Sequence, residues 1–218
     1  MTQGLGVTPS AARKGSGALS SLRRLRRTDD EEFCELCQVP LRRAGHRHLL
    51  EPGTRQIKCS CTACSMLFPR EARQRFVVIP QRRWRLVDFE LDDGQWDQLA
   101  IPVGMAYLHT TEEGKGVKAF YPGPAGATES LLEISGWEDL VERNPVLSRL
   151  EPDVEALLVD RVGGKRDHFI VPIDACYELV GLIRVHWRGL SGGTEAWEKI
   201  AAFFAGLRAA ATEHGSGA

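Results

Sequence analysis

Apolar positions near the C-terminus recur with a helical period. Trp197, Ile200, Phe203, Phe204 and Leu207 fall on one face of a helix that Thr194 would cap. Leu179, Val180 and Ile183 predict a second helix, from a cap at Asp174 to about Trp187, with the Gly189–Gly193 loop between the two. Upstream the pattern shortens to that of strands. Val154 to Val162 and His168 to Ile173 flank Gly163-Gly164-Lys165-Arg166 as a hairpin with a four-residue turn. Val103 to His109 and Val117 to Tyr121 form another strand pair, joined by the loop Glu112–Gly116. Phe76–Ile79, stopped by Pro80, and Trp84–Phe89 read as shorter strands. Asp92 or Asp93 would cap a short helix with Trp96 and Leu99, ended by Pro102. Trp137 to Arg143 predicts one or two helical turns closed by Asn144-Pro145.

The segment 33–68 is different. Leu36, Val39, Leu41, Leu49, Leu50, Ile57, Leu67 and Phe68 supply only a small apolar filling, too little for a core of its own. Two strands, through His48-Leu49-Leu50 and from Arg55 to Lys58, are expected around the turn Glu51-Pro52-Gly53-Thr54. The pattern therefore divides the chain into four parts. Residues 1–30 form a disordered basic tail, 31–70 a cysteine-rich metal-binding module, 71–210 an α+β domain and 211–218 a second disordered tail. The fold class is α+β: a small metal-binding β module, then an α+β domain ending in two helices.

Charge sharpens this division. The net charge of the 218 residues is −1, but residues 1–90 carry 17 Lys and Arg against 9 Asp and Glu, and the remainder carry 11 against 20. A basic front on an acidic back fits an anionic partner, docking between the halves, or a basic tail on an ordinary acidic domain. No apolar run is long enough to predict a membrane span. Arg23-Arg24 and Arg26-Arg27 are followed by Thr28-Asp29-Asp30-Glu31-Glu32 where an export signal would be apolar, so a cytoplasmic protein is expected.

Five of the six cysteines lie in Cys34-Glu-Leu-Cys37 and Cys59-Ser-Cys61-Thr-Ala-Cys64. Two Cys-x-x-Cys turns, 34/37 and 61/64, offer two thiolates each and together complete a tetrahedron around one thiophilic ion. In a reducing compartment this spacing means metal ligands rather than disulfides. Zinc is the expected ion and iron the alternative, since both accept four thiolates. The pattern is that of a zinc-ribbon or rubredoxin-type knuckle pair. Those knuckles usually place glycine after the second cysteine, where this chain has Gln38 and Ser65. Cys59 has three readings: a substitute for Cys61 as ligand, a redox thiol beside the metal, or a buried cysteine. His46 and His48 share a strand face and would either join Cys59 on a metal or serve as structural histidines.

The cysteine pairs with His46-Arg-His48 between them also resemble zinc-stapled His-Asn-His endonucleases. That chemistry needs a further histidine after the last cysteine pair. Ser65-Met66-Leu67-Phe68 occupies that place here, and no asparagine lies between the knuckles, so nuclease activity is set aside.

Three other stretches offer chemistry. Gly123-Pro-Ala-Gly126-Ala-Thr-Glu-Ser130 would present amides to an anion or simply form a turn with a helix cap. His186-Trp187-Arg188-Gly189 and Ser191-Gly192-Gly193 would bind a partner carboxylate or cap a helix. Arg82-Arg83-Trp84-Arg85 mixes charge and an aromatic ring as single-strand nucleic-acid binders do. Cys176 has no cysteine neighbour in the sequence and reads as structural.

From Phe33 to about Leu207 the chain resembles an uncharacterised bacterial family found in nickel–iron hydrogenase gene clusters. The resemblance rests on both cysteine pairs, His46-Arg-His48-Leu-Leu, Phe120-Tyr-Pro-Gly-Pro-Ala-Gly-Ala-Thr-Glu-Ser-Leu-Leu132, Asn144-Pro-Val-Leu147, Glu151-Pro-Asp-Val-Glu-Ala-Leu-Leu158 and His186-Trp-Arg-Gly-Leu-Ser-Gly-Gly193. It implies a setting and not a mechanism. In that setting the leading expectation is a metal-binding, non-catalytic accessory protein that supports maturation, assembly or electron transfer of a nickel–iron hydrogenase, with hydrogenase subunits or maturation factors as partners. The rival expectation is a zinc-ribbon nucleic-acid binder or regulator.

Overall fold

The computed structural model describes residues 32–42, 45–68, 75–99, 101–111, 116–130 and 136–215. The expected basic tail, the Leu131–Ile134 segment and the last three residues lie outside them. In chain order the elements begin with β1 (Arg47–Glu51), β2 (Gln56–Ser60) and a short helical turn, α1 (Thr62–Ser65). Then come β3 (Val77–Val78), β4 (Trp84–Leu86), α2 (Asp93–Gln98), β5 (Met105–Thr110), β6 (Val117–Gly123), β7 (Gly126–Glu129) and α3 (Trp137–Arg143). The last third of the chain holds a 3-10 turn (Pro145–Arg149), β8 (Glu155–Asp160), β9 (Asp167–Pro172), α4 (Ile173–His186), α5 (Gly193–Ala210) and β10 (Thr212–His214). Strands and helices together make the α+β class that the hydrophobic pattern predicts.

Two sheets form. The small one has the order β2-β1-β3 and the large one β10-β4-β9-β8-β5-β6-β7. Every pairing is antiparallel except β10 with β4. The central strands of the large sheet are buried on both faces, which explains their near-continuous apolar runs. One face carries Met105, Tyr107, Leu158, Phe169 and Val171, which meet Leu179 and Ile183 of α4 and Ile200 and Phe204 of α5. The opposite face carries Ala106, Leu108, Leu157, Val159 and Ile170, packed on Leu91, Leu140, Val146 and Leu147. Leu50 of β1 and Ile79, just after β3, belong to the first of these cores. The cysteine module is thus anchored to the sheet-and-helix body through shared apolar contacts, which a segment so poor in apolar residues needs.

Several local expectations change. The Gly123–Ser130 stretch is no helix entry: β6 runs to Gly123, turns, and returns as β7, with Gly126 at φ +125°. Only glycine takes that backbone conformation without strain, so the glycine-rich stretch is a hairpin rather than an anion loop. Asp174 and Thr194 do not cap their helices. α4 begins one residue earlier at Ile173, and α5 begins at Gly193 after a left-handed Gly192. Residues 212–214, expected in a disordered tail, form β10, which pairs through its backbone with Trp84 to Leu86. Asp92, by contrast, is a true cap. It accepts from the Gln95 N–H while the Gln95 side chain accepts from its own N–H.

Candidate metal centre

The first knuckle is a tight turn closed by two backbone bonds, Gln38 N–H to the Cys34 carbonyl (2.8 Å) and Cys34 N–H to the Val39 carbonyl (2.9 Å). Gln38 stands at φ +63°, the left-handed conformation that glycine supplies in comparable knuckles. The glycine is missing here but its geometry is kept. The second knuckle is built differently. Cys61 is the N-cap of α1, its sulfur accepting from the Cys64 N–H at 3.4 Å, so one helical turn carries Cys64 back beside Cys61. Ser65 is helical and needs no left-handed residue. Glu35, between the first two cysteines, ties the first knuckle to β2, the strand that leads into the second. Its N–H donates to the Cys59 carbonyl, and its carboxylate accepts from the Cys59 N–H at 2.9 Å and from Lys58 at 3.0 Å.

The sulfurs of Cys34, Cys37, Cys61 and Cys64 consequently all lie within 4.8 Å of one another, and those of Cys37 and Cys61 are 3.8 Å apart. Thiolates around one ion at the ~2.3 Å typical of zinc would stand about 3.8 Å apart at tetrahedral angles. All six cysteines are free thiols. The donor set therefore fits a single tetrahedral ion, and zinc and iron share this geometry. The closeness of the sulfurs also sets the charge of the cluster. Burial opposes ionisation of Cys34, but N–H groups of Cys61, Cys37 and Leu36 directed at its sulfur bring its pKa down to about 6. Cys64, hydrogen-bonded to the sulfurs of Cys37 and Cys61 and facing the Cys34 charge, is pushed up to about 12. One thiolate forms readily and the next resists, a resistance that a bound dication removes.

A second group lies on the β1–β2 ladder. His48 pairs directly with Cys59, and His46 immediately precedes β1. Ligand atoms of His46, His48 and Cys59 also lie within 4.8 Å of one another. Cys59 is therefore not part of the four-sulfur set; it faces the histidines. Burial pushes its thiol up, with Glu32 and Glu35 adding to the effect. His48 Nδ1 bonds Asp174 at 2.5 Å, and that bond raises the His48 pKa against the opposing effect of burial. Asp174 was legible in the sequence only as a helix cap. Nothing local could link it to a histidine 126 positions away. Glu35 was also missed, although its place between two ligands was a signal.

The other candidate stretches are used internally. Arg82 bonds the fully buried Glu155 (Nε to Oε1, 2.5 Å) and the Arg149 carbonyl. The Trp84 ring stacks on His214 at 4.2 Å and lies beneath the guanidinium groups of Arg82 and Arg149. Arg85 pairs with Asp167 and Glu213. Arg188 donates to the carbonyls of Val185 and Trp187, so the 186–193 junction is a helix C-cap. Cys176 is fully buried, and burial holds its thiol well above the ordinary range, as suits a structural cysteine.

A family model matches residues 33–211, from one residue before the first cysteine to one residue past the end of α5. The chain belongs to DUF5947, a family of unknown function. The matched span includes both knuckles, the histidine pair and Asp174. No curated protein and no solved structure matches the chain. Among the described residues no helix is long and apolar enough to cross a membrane.

Proposed function

We propose that this DUF5947 protein is a metal-binding accessory protein, without catalysis of its own, that supports maturation, assembly or electron transfer of a nickel–iron hydrogenase in the cytoplasm. The observation that carries the metal-binding part is the convergence of the Cys34, Cys37, Cys61 and Cys64 sulfurs within 4.8 Å. The hydrogenase setting rests on the resemblance drawn from the sequence motifs. Zinc in this centre would staple the two knuckles; iron would let the same four thiolates pass single electrons.

A protein partner fits the surface around the knuckles. Leu36, Val39, Met66 and Leu67 flank the cysteines and are exposed, and exposed apolar side chains beside a site suit a protein contact. Nucleic-acid binding finds less support, because Arg82, Trp84 and Arg85 are engaged within the fold. The test is genetic and biochemical. Deleting the gene from a hydrogen-oxidising host should lower hydrogenase activity, and the tagged protein should co-purify with hydrogenase subunits or maturation factors. Unchanged activity together with no co-purification would refute the assignment.

A further inference from the structure

The histidine pair presents a hydrogen-bonding problem that two neutral rings cannot solve. His46 Nδ1 lies 3.3 Å from the Arg42 carbonyl oxygen, which can only accept, so this nitrogen carries a hydrogen. His48 Nδ1 lies 2.5 Å from the Asp174 carboxylate and carries one too. In neutral imidazoles both Nε2 atoms are then bare lone pairs, yet they face each other at 2.9 Å. A cation must lie between them or one ring must take up a proton. The Cys59 thiol, opposite His48 in the ladder, adds a third donor converging on the same point.

From this convergence we infer that His46, His48 and Cys59 form a second metal site, distinct from the four-cysteine centre, for a divalent transition ion with zinc as its first candidate. Two imidazoles and one thiolate suit borderline ions of the zinc, cobalt and nickel kind rather than magnesium or calcium. Nitrogens bound at ~2.0–2.1 Å stand about 3.3 Å apart in a tetrahedron, so the rings need to part by only a few tenths of an ångström. Asp174 completes the carboxylate–histidine arrangement that fixes the tautomer and aims Nε2 at a metal. A three-ligand set leaves a fourth position open to exchange, unlike the closed set of four thiolates. A cleft of about 160 Å³ lined in part by His46, His48, Arg83 and Asp174 gives solvent and small ligands access. The exposed Glu32 carboxylate lies 4.0 Å from His46 Nε2.

The experiment is a cobalt(II) titration of the full-length protein, stripped of metal under anaerobic conditions. Metal content is then read by elemental analysis after desalting, and thiolate-to-cobalt absorption during the titration. Wild type should bind two cobalt ions per chain. Cys59→Ser, His46→Ala and His48→Ala should each bind one and keep the four-thiolate absorption. Asp174→Asn should retain two sites at saturation while weakening the second about 10- to 100-fold. Should Cys59→Ser fail to fold, as near-ultraviolet circular dichroism would reveal, His46→Ala carries the same prediction from outside the strand. One cobalt per chain in wild type, unaffected by the three substitutions, would mean that the histidines share only a proton and would overturn the site. A second cobalt that persists in His46→Ala and His48→Ala would place it elsewhere and overturn it equally. Neither result would touch the four-cysteine centre, whose loss would instead appear as missing four-thiolate absorption in every variant.

Discussion

Gln38 shows how one side chain can depart from a pattern while the backbone keeps it. Its φ of +63° is imposed by the knuckle, and its N–H closes the turn on Cys34. A non-glycine residue in the left-handed region costs about 1–2 kcal/mol. Gln38→Gly should therefore stabilise the protein by about 1 kcal/mol, read as a raised thermal midpoint with unchanged metal content. A lowered midpoint would mean that the Gln38 side chain compensates for its own strain. The ligands themselves were legible because Cys-x-x-Cys is local chemistry, with both sulfurs of a pair placed by one turn. The role of Asp174 was not, because a carboxylate at a helix start has the same local signature whether it caps that helix or serves a distant histidine. Cys59 fell between the two cases. Sequence spacing left it open to the place of Cys61 or to the histidines, and the β1–β2 register, which sets it opposite His48, decides for the histidines.

At the level of elements, the link between the irregular stretch before β4 and the start of β8 is an ion pair whose carboxylate end is buried. Glu155 is fully buried and accepts from Arg82 and from the Glu151 N–H. Removing one partner of such a pair strands the other charge in the core. Arg82→Ala should cost about 3–5 kcal/mol in chemical denaturation, and combining it with Glu155→Leu should recover much of the loss. An Arg82→Ala loss below about 1 kcal/mol would show that water reaches Glu155 freely. The long strands and both C-terminal helices were legible, since their apolar positions repeat over many residues. β10 was not: Thr212-Glu-His214 has no apolar pattern, and its strand exists only because β4 offers a free edge. The β6–β7 hairpin was misread for the opposite reason. Its glycines and prolines signal a turn equally well before a strand and before a helix.

The whole molecule is built so that the cysteine module leans on a core it could not form alone, with Leu50 and Ile79 in the same apolar cluster as α4 and α5. The large sheet also buries histidines which must stay neutral. Burial, reinforced by the Arg161 charge, holds His168 down to about 4, and burial lowers His109 in the same direction. A histidine depressed on folding binds protons more readily in the unfolded chain. The stability it contributes is therefore complete above about pH 6.5 and is lost as the pH falls toward 4. The His168 shift corresponds to about 3 kcal/mol over that window. Denaturation midpoints measured between pH 7 and 4 should fall more steeply for wild type than for His168→Leu; parallel curves would contradict this.

The proposed role depends above all on a single ion held by Cys34, Cys37, Cys61 and Cys64. Elemental analysis of protein purified without oxygen, wild type beside Cys37→Ser, would establish or refute that ion. Zinc should be present in colourless wild-type protein, and Cys37→Ser should lose one equivalent with loosening of the first module. Wild type without bound metal, or Cys37→Ser with undiminished content, would show that these four thiols do not act as a metal centre.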